Sequence, residues 1–285
     1  MAHALVAEKH PLDDLIRTDR MPHIWCPGCG IGIVMRCYAQ AILESGIPVE
    51  QHVIVSGIGC AARTPGYMNL DSYHTTHGRP IPFATGLKLV KPDLMVTVFS
   101  GDGDLAAIGG NHLIHAARRN VDIKVICINN FNYGMTGGQV GPTTPLGAKT
   151  TTTPFGNPEH PFNLPYLLAA AGAVFVSRWT TIHARQVKED ILYTFRKPGF
   201  TFIEVLAPCP IGFGKSNNID EGVEEMWLYR RRCVLAGRVP DETPWEALQV
   251  DLREERPIVV GRFVDEERPV YRPVRLEDKP SEHRG

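Results

Sequence analysis

The chain has 285 residues, of which 43% are hydrophobic and 21% charged, and its formal net charge is −1 at pH 7. That length can bury a full core, in one large domain or two small ones. A charge near zero excludes a strong field for nucleic acid or anionic lipid. No apolar run reaches the roughly 18 residues of a membrane span, and residues 1–19 lack the apolar core and cleavage site of a signal peptide. We therefore expect a cytoplasmic protein that binds neither nucleic acid nor membrane.

Helical and strand patterns alternate through most of the sequence. Helices are predicted at residues 32–45, 111–119, 164–171 and 182–195. Strands are predicted at residues 53–55, 94–100, 123–128, 174–176 and 202–206. Gly46 is expected to close the first helix, and Asn163 to cap the third. Continuous apolar strands between amphipathic helices predict an α/β fold, with a mostly parallel sheet and helices on both faces.

Two stretches break this alternation. Residues 136–160 are rich in Gly, Thr and Pro, and a loop of that length in a compact domain is usually functional or mobile. Residues 238–285 are charged, contain six prolines and include one predicted strand at 258–263. We expect either an arm that wraps a neighbouring subunit or a loosely ordered tail. The predicted organisation is a lead-in (1–21), a main domain (22–237) and a C-terminal arm (238–285).

Seven cysteines is an unusual number for a secreted disulfide framework, so a reducing compartment with ligand cysteines is expected. Three lie in predicted helices or strands and are expected to be small buried residues: Cys37, Cys127 and Cys233. Four lie in predicted loops: Cys26, Cys29, Cys60 and Cys209. Cys209 stands between two prolines, and Cys60 ends the string Ser56-Gly-Ile-Gly-Cys60.

The pair Cys26 and Cys29 permits a redox dithiol, half of a zinc site or half of an iron–sulfur site. A thioredoxin-like dithiol expects a strand before the pair, and none is predicted there. Cys60 and Cys209 are single and distant, and both follow predicted strands. The fold could therefore bring four thiolates together, as a [4Fe–4S] cluster requires. Spacing alone leaves zinc open.

A diphosphate site is predicted at the carboxyl ends of two strands. Gly101-Asp102-Gly103 follows the strand at 94–100 directly, where open α/β sheets bind ligands and glycines let backbone N–H groups approach phosphate. Asn130 follows the next predicted strand. Asp102 and Asn130 offer oxygen ligands for Mg²⁺, with phosphate oxygens completing its shell. Alone, Gly-Asp-Gly also makes ordinary turns.

The glycine-aspartate motif followed by Asn129-Asn130 is similar to the thiamine diphosphate signature. Together the motifs resemble the β subunit of 2-oxoacid:ferredoxin oxidoreductases, most closely the 2-oxoglutarate type, from about Pro22 to Gly214. The strings that carry the resemblance are Trp25-Cys-Pro-Gly-Cys-Gly30, Ser56-Gly-Ile-Gly-Cys60, His74-Thr-Thr-His-Gly-Arg79 with Pro82-Phe-Ala-Thr-Gly86, Gly101-Asp-Gly-Asp104 with Gly109-Gly-Asn-His112, Ala116-Ala-Arg-Arg-Asn120, and Asn129-Asn130 through Tyr133-Gly-Met-Thr-Gly-Gly-Gln139.

The resemblance implies a thiamine diphosphate-binding fold and the oxidative decarboxylation of a 2-oxoacid, reversible as reductive carboxylation. Electrons would pass singly through one [4Fe–4S] cluster to ferredoxin, and coenzyme A would accept the acyl group. An α subunit would supply the acid that activates the aminopyrimidine ring, in an (αβ)2 assembly.

The resemblance also implies roles for individual residues. Cys26, Cys29, Cys60 and Cys209 would hold the cluster. Mg²⁺ would be held by Asp102, Asn130 and the backbone carbonyl of Asn132. Contacts to thiamine diphosphate would come from Gly59, His77, Gly101, Asp102, Gly103, Asp104, Asn130, Gly134, Met135 and Thr136.

Two residues are candidates for contact with the substrate. Arg63 follows Cys60 closely, and its guanidinium could grip a carboxylate bidentately or lie on the surface. His77 could contact phosphate or substrate, or be a structural histidine. Gly137 stands where some relatives carry a lysine, which leaves room for a dicarboxylic substrate.

Alternatives remain at this stage. The same family could act on pyruvate or a branched-chain 2-oxoacid. A structural zinc protein with a nucleotide-like pocket and a non-redox thiamine decarboxylase or ligase are hypotheses of other classes. Metal analysis and the visible spectrum separate them, because zinc gives no broad charge-transfer absorption.

Overall fold

The computed structural model describes residues 10–219, 221–236, 248–251 and 256–272. The α-helices in these ranges are α1 (Ile31–Ser45), α2 (Pro80–Val90), α3 (Gly110–Arg119), α4 (Leu164–Ala171), α5 (Ala184–Arg196) and α6 (Gly222–Arg232). The strands are β1 (His52–Ser56), β2 (Asp71–His74), β3 (Met95–Gly101), β4 (Lys124–Asn129), β5 (Asn132–Tyr133), β6 (Gln139–Val140), β7 (Phe175–Thr180), β8 (Thr201–Leu206), β9 (Cys233–Leu235) and β10 (Ile258–Asp265).

One eight-stranded sheet has the order β2-β1-β3-β4-β8-β7-β10-β9. Every neighbouring pair from β2 to β7 is parallel, whereas β10 runs antiparallel to β7 and parallel to β9. Strands β5 and β6 form a separate hairpin. Because parallel strands end at the same edge of a sheet, the segments after β1, β3, β4 and β8 gather there.

Helices cover both faces of the sheet. Tyr38 of α1 packs on one face with Phe195 of α5 and with Phe99 of β3. Leu113 of α3 belongs to the core on the other face, together with Val98 of β3. Consecutive strand residues point to opposite faces, so a strand buried on both sides is apolar without a break. The fold is the predicted α/β arrangement.

The predicted elements all overlap observed ones, with short shifts at their ends. Gly46 closes α1 in the left-handed region at φ 73°. The Asn163 side chain accepts a hydrogen bond from Tyr166 N at the start of α4. The strand expected at residues 258–263 lies within β10 and joins the main sheet. Gly46 and Asn163 therefore end and begin their helices with the local geometry that the sequence predicted.

Among the elements that were not predicted are β2 and α2. All four residues of β2 are exposed, so this edge strand carries no apolar alternation. The helix α2 begins with Pro80 and contains Pro82 and Gly86, residues that usually punctuate loops. Proline is accepted in a first helical turn because its missing N–H would have no helical partner there.

The remaining expectations concern chain ends and thiols. Most of the C-terminal arm lies outside the described residues, and the domain limits at residues 21 and 237 stay predictions. Within the described ranges, no helix has both the length and the apolar character to cross a lipid bilayer. All seven cysteines are free thiols; Cys37 and Cys127 are buried as expected, whereas Cys233 is half-buried.

Candidate functional site

A cavity of about 370 Å³ opens at the carboxyl edge of the sheet, a volume typical of small-molecule sites. It is lined by segments that follow β1, β3 and β4. Every residue predicted to contact the organic cofactor lines it, namely Gly59, His77, Gly101, Asp102, Gly103, Asp104, Asn130, Gly134, Met135 and Thr136. Cys60 and Asn132 also lie on its wall.

The floor of the cavity requires a glycine at Gly103, two residues after β3. A Cβ on Gly103 would lie 2.4 Å from Cε1 of Tyr133, far inside van der Waals contact. Gly103 begins a π-helical turn that runs to Ile108 and leads into α3. The chain therefore turns sharply at the strand end, where an anionic ligand can approach the backbone closely.

Three oxygen-bearing groups meet beside this turn. With one orientation of the Asn130 amide, its nitrogen donates to Asp102 Oδ1 at 3.2 Å and to the Asn132 carbonyl at 2.9 Å. With the other orientation, the amide oxygen faces those two oxygens without a donor between them. A carboxylate, an amide oxygen and a carbonyl around one point are suitable ligands for Mg²⁺, with phosphate oxygens completing the shell. The structure thus brings together the three residues predicted to bind magnesium.

The Asp102 carboxyl is 1% exposed, and burial raises its pKa to about 7. The Thr143 hydroxyl contacts its Oδ2 atom and also lies 3.0 Å from Asn129 Oδ1. Asn129 Nδ2 donates to Glu204 Oε1 at 2.7 Å, and the buried Arg178 pairs with the other oxygen of Glu204 at 2.6 Å. A buried series of hydrogen-bonded side chains therefore fixes Oδ2 of Asp102, while its Oδ1 faces Asn130.

Asp104 lines the cavity as expected and also organises the loops around it. Its carboxylate accepts from Ser100 Oγ, from the backbone N–H groups of Ile58 and Gly78, and from His77 Nδ1. Four donors occupy this buried group, so it organises the loops after β1 and β2. Because a carboxylate only accepts, Nδ1 of His77 carries a hydrogen and donates it to Asp104.

The loop after β4 covers one side of the cavity. Thr136 Oγ1 lies 2.6 Å from Gln139 Oε1, and Gln139 Nε2 donates to the Thr136 carbonyl at 2.7 Å. Gly137 and Gly138 both have positive φ, at 117° and 84°. Glycine is the residue that adopts this backbone without steric strain. The Gly-Gly pair therefore turns the chain back to form β6.

The four loop cysteines lie together beside this cavity. Burial raises the pKa of Cys29 to about 12, and the charges of Cys209, Cys60 and Cys26 add to that effect. Burial raises the pKa of Cys60 to about 11, with further contributions from Cys209 and Cys26. Thiols raise one another's pKa only at short range, because each thiolate repels the next. The four cysteines therefore lie in one region of the structure, close enough for their charges to act on one another.

Direct contacts join the loops that carry these cysteines. Gly30 N donates to the Pro208 carbonyl at 3.3 Å, which ties the Cys26–Cys29 loop to the Cys209 segment. The buried indole of Trp25 donates to the Cys60 carbonyl at 2.8 Å. No group of three or more His, Cys, Asp or Glu residues surrounds a single ion position in the described ranges. Ligands to different irons of one cluster need no such common point, so this arrangement fits a cluster.

The four cysteines lie next to the oxygen cluster, which consists of Asp102, Asn130 and Asn132. Cys209 Sγ lies 4.0 Å from Asn132 Oδ1. A Cβ on Gly134 would lie 3.4 Å from both of these atoms and 3.6 Å from Asn130 Nδ2. The two predicted sites are therefore adjacent.

Arg63 lies apart from these groups. Its side chain is exposed and does not line the cavity. The residues that sequence reasoning missed are Thr143, Glu204, Arg178 and Glu225, together with the organising role of Asp104. Thr143 lies in the long loop flagged as functional, but nothing in the spacing pairs it with Asp102.

Fold and site together define a thiamine diphosphate-binding α/β domain with four cysteines near the cavity at one edge of its sheet. Residues 56–205 match the family described as "Thiamine pyrophosphate enzyme, C-terminal TPP binding domain". A chain named 2-oxoglutarate synthase subunit KorB from Methanocaldococcus jannaschii is 49% identical over 262 residues, which cover 92% of this chain and 94% of that one.

Two further relatives agree. A 2-oxoacid:ferredoxin oxidoreductase β subunit from Aeropyrum pernix is 42% identical over 65% of this chain and 60% of its own length. The solved 2-oxoglutarate:ferredoxin oxidoreductase from Magnetococcus marinus, with 2-oxoglutarate, coenzyme A and succinyl-CoA bound, superimposes with a TM-score of 0.79 and 30% identity, covering 95% of this chain and 90% of that chain. The chain belongs to the 2-oxoacid:ferredoxin oxidoreductase family, as one subunit of a multi-subunit enzyme.

Proposed function

We propose that this chain is the thiamine- and cluster-binding β subunit of an oxidoreductase that acts on 2-oxoglutarate. The enzyme decarboxylates the 2-oxoacid oxidatively, transfers the acyl group to coenzyme A and passes two electrons singly through a [4Fe–4S] cluster to ferredoxin. The reaction also runs backward as reductive carboxylation. Relatives and a solved neighbour bearing 2-oxoglutarate in their names support the substrate, and the neighbour's bound coenzyme A supports the cosubstrate.

The adjacency of the two sites carries this proposal. Cys209 Sγ lies 4.0 Å from Asn132 Oδ1, on the wall between the oxygen cluster and the cysteines. When bound, thiamine diphosphate supplies the nucleophile and electron sink for decarboxylation, and the cluster accepts single electrons. A cluster beside the cofactor needs only a short transfer distance. A packing role for the cysteines would give no reason for this placement.

Residues of the chain divide the binding work. Asp102, Asn130 and the Asn132 carbonyl hold Mg²⁺ and thereby the diphosphate. Gly101 and Gly103 leave space for the phosphate groups, and Gly59, Gly134, Met135 and Thr136 form the remaining walls. His77 is held by Asp104 through Nδ1, which leaves Nε2 for a contact with the cofactor or the substrate. Arg63, exposed and outside the cavity lining, remains the candidate for binding a substrate carboxylate.

The cavity also supports a partner subunit. Asp102 and Asp104 are its two carboxyl groups within the described chain, and both are engaged elsewhere. Neither is free to activate an aminopyrimidine ring, so the acid comes from an α subunit in an (αβ)2 complex. The relatives are named as subunits, which agrees with this division.

A substrate panel with the assembled enzyme tests the proposal. The chain is coexpressed with its partner subunit and purified without air, and iron, sulfide, zinc and thiamine diphosphate are measured. We expect four irons per chain, broad visible absorption, and ferredoxin reduction at least about tenfold more efficient with 2-oxoglutarate than with pyruvate or a branched-chain 2-oxoacid. Stoichiometric zinc without iron, or a preference for pyruvate, would overturn it.

A further inference from the structure

A buried carboxylate lies directly behind the Cys209 backbone. Glu225 of α6 is 2% exposed. No Lys, Arg or His among the described residues forms an ion pair with it, and its two partners are neutral groups. Burying a carboxylate without a cation is costly, so the group is retained for the hydrogen bonds that it accepts.

Those two hydrogen bonds have definite geometry. Glu225 Oε2 accepts from Cys209 N at 3.2 Å, and Oε1 accepts from the Tyr229 hydroxyl at 2.5 Å. Tyr229 lies one turn further along α6 and is 0% exposed. Its hydroxyl fixes the carboxylate so that the other oxygen faces Cys209.

The flanking prolines make this contact important for the segment. Pro208 and Pro210 carry no backbone N–H, so Cys209 provides the one N–H of the tripeptide. The Cys209 carbonyl already accepts from Phe213 N and Gly214 N. Glu225 is therefore the partner that fixes the amide side of Cys209, while the side chain extends towards Asn132.

The same helix also supports the Cys26–Cys29 loop. A Cβ on Gly222 would lie 2.3 Å from the Gly28 carbonyl oxygen, so the first turn of α6 touches that loop. Glu221 and Glu224 form a capping box that fixes where the helix begins. Helix α6 thus sets the relative position of two of the cysteine loops.

We infer that Glu225 is a positioning residue for the cluster, and this inference rests on the proposed function. It holds the Cys209 backbone so that the thiolate faces the other three cysteines, and it keeps the Cys209 amide from donating to the cluster's sulfur atoms. Hydrogen bonds to those sulfurs are one of the features that set a cluster's reduction potential. Removing the Glu225 acceptor should therefore change both the retention of iron and the potential.

Three substitutions in the coexpressed complex test this inference. Glu225→Leu removes the acceptor, Glu225→Asp withdraws it by one methylene, and Glu225→Gln keeps an oxygen in place. Glu224→Gln is the matched control, because it removes a charge from the neighbouring residue and Gln still supports a capping box. The measurements are the rate at which a ferrous chelator removes iron and the midpoint potential of the cluster.

We expect the Leu and Asp variants to release iron about tenfold faster than wild type, the size of effect given by losing one hydrogen bond to a charged group. Their midpoint potential should rise, and Glu225→Gln should remain close to wild type in iron release. If Glu225→Leu does not assemble, Glu225→Asp decides the question with the same measurements. If iron release and midpoint potential of the Leu and Asp variants match those of Glu224→Gln, the inference is overturned. If the wild-type enzyme contains no iron, the proposed function is overturned instead.

Discussion

The two halves of the site are built in different ways. The oxygen cluster of Asp102, Asn130 and Asn132 lies at the ends of β3 and β4, neighbouring strands in the middle of the sheet. The four cysteines come from three loops, and Cys26 is exposed. The first half is fixed by sheet hydrogen bonds on both sides. The second depends on individual contacts between loops.

The positions of the residues in the two halves therefore depend on different interactions. A strand end has little freedom, because its register with its neighbours sets where the next residue falls. A loop cysteine keeps its place only while contacts such as Trp25 to Cys60 and Glu225 to Cys209 persist. We therefore expect substitutions in one half to leave the other half intact.

Replacing one of the four loop cysteines is expected to have the largest effect. Cys209→Ala removes one thiolate, so the assembled enzyme should lose its cluster and its ferredoxin reduction while it still binds thiamine diphosphate. Iron analysis, dye reduction and thiamine titration measure these three properties. Cys233→Ala, at a half-buried cysteine outside this set, is the control. Retained dye reduction in Cys209→Ala would contradict the cluster assignment.

Asp102→Ala gives the reverse test. Changes around metal ligands commonly reduce metal affinity about 10–100-fold, so losing a direct ligand should weaken Mg²⁺-dependent thiamine binding on the order of 100-fold. Iron content should remain at the wild-type level. Asp93→Ala alters an exposed aspartate before the other end of β3 and should change neither property. Unchanged thiamine affinity in Asp102→Ala would count against the magnesium assignment.

Gly103→Ala tests the steric requirement at the strand end. The added methyl would lie 2.4 Å from the Tyr133 ring, so Tyr133 must move into the cavity or the turn must shift. Thiamine affinity should fall about tenfold, within the range of strained or overpacked substitutions, and iron content should stay constant. Gly110→Ala is the matched control, because its methyl would meet nothing within 4 Å. Equal effects at both positions would exclude a specific steric role.

Arg63→Ala tests the exposed arginine that follows Cys60 by three residues. If its guanidinium binds the distal carboxylate of 2-oxoglutarate, KM for that substrate should rise about tenfold, the size of one charge-assisted hydrogen bond. Turnover of pyruvate should change little, since pyruvate has no second carboxylate. Arg36→Ala, at an exposed position on α1, controls for loss of a positive charge. Equal losses on both substrates would remove Arg63 from specificity.

His52 lies in the core, away from both halves, and should affect stability alone. Burial lowers the pKa of His52 to about 4 from its ordinary 6.5. In the unfolded chain, His52 therefore binds a proton as the pH falls below about 6.5. In the folded protein, it binds that proton only near pH 4. The free energy of unfolding should fall by about 3 kcal/mol between these values.

Urea unfolding of wild type and His52→Gln from pH 7.5 to 4 measures this dependence. Glutamine does not titrate, so the variant should lack that part of the pH dependence while binding thiamine and iron normally at neutral pH. Identical pH profiles for the two proteins would show that His52 is not the responsible group.

Sequence reasoning found the groups that stand at strand ends or in distinctive short motifs. Gly101, Asp102 and Asn130 could be located because each follows an apolar strand, and parallel strands end at one edge. Thr143, Glu204 and Glu225 could not be located, because their partners are far away in the chain and no spacing relates them. Asp104 was recognised as a site residue, but its carboxylate binds loop donors that only the folded structure brings near.

The sequence by itself determined the α/β fold and located the Gly101-Asp102-Gly103 turn and the four loop cysteines as candidates, because hydrophobic periodicity and short motifs are local properties. Only the tertiary structure decided that the cysteines meet beside the oxygen cluster, that Asp104 organises His77, and that Glu225 lies behind Cys209. Those relations depend on the packing of distant segments, and packing is selected by the whole core rather than by neighbours in the chain.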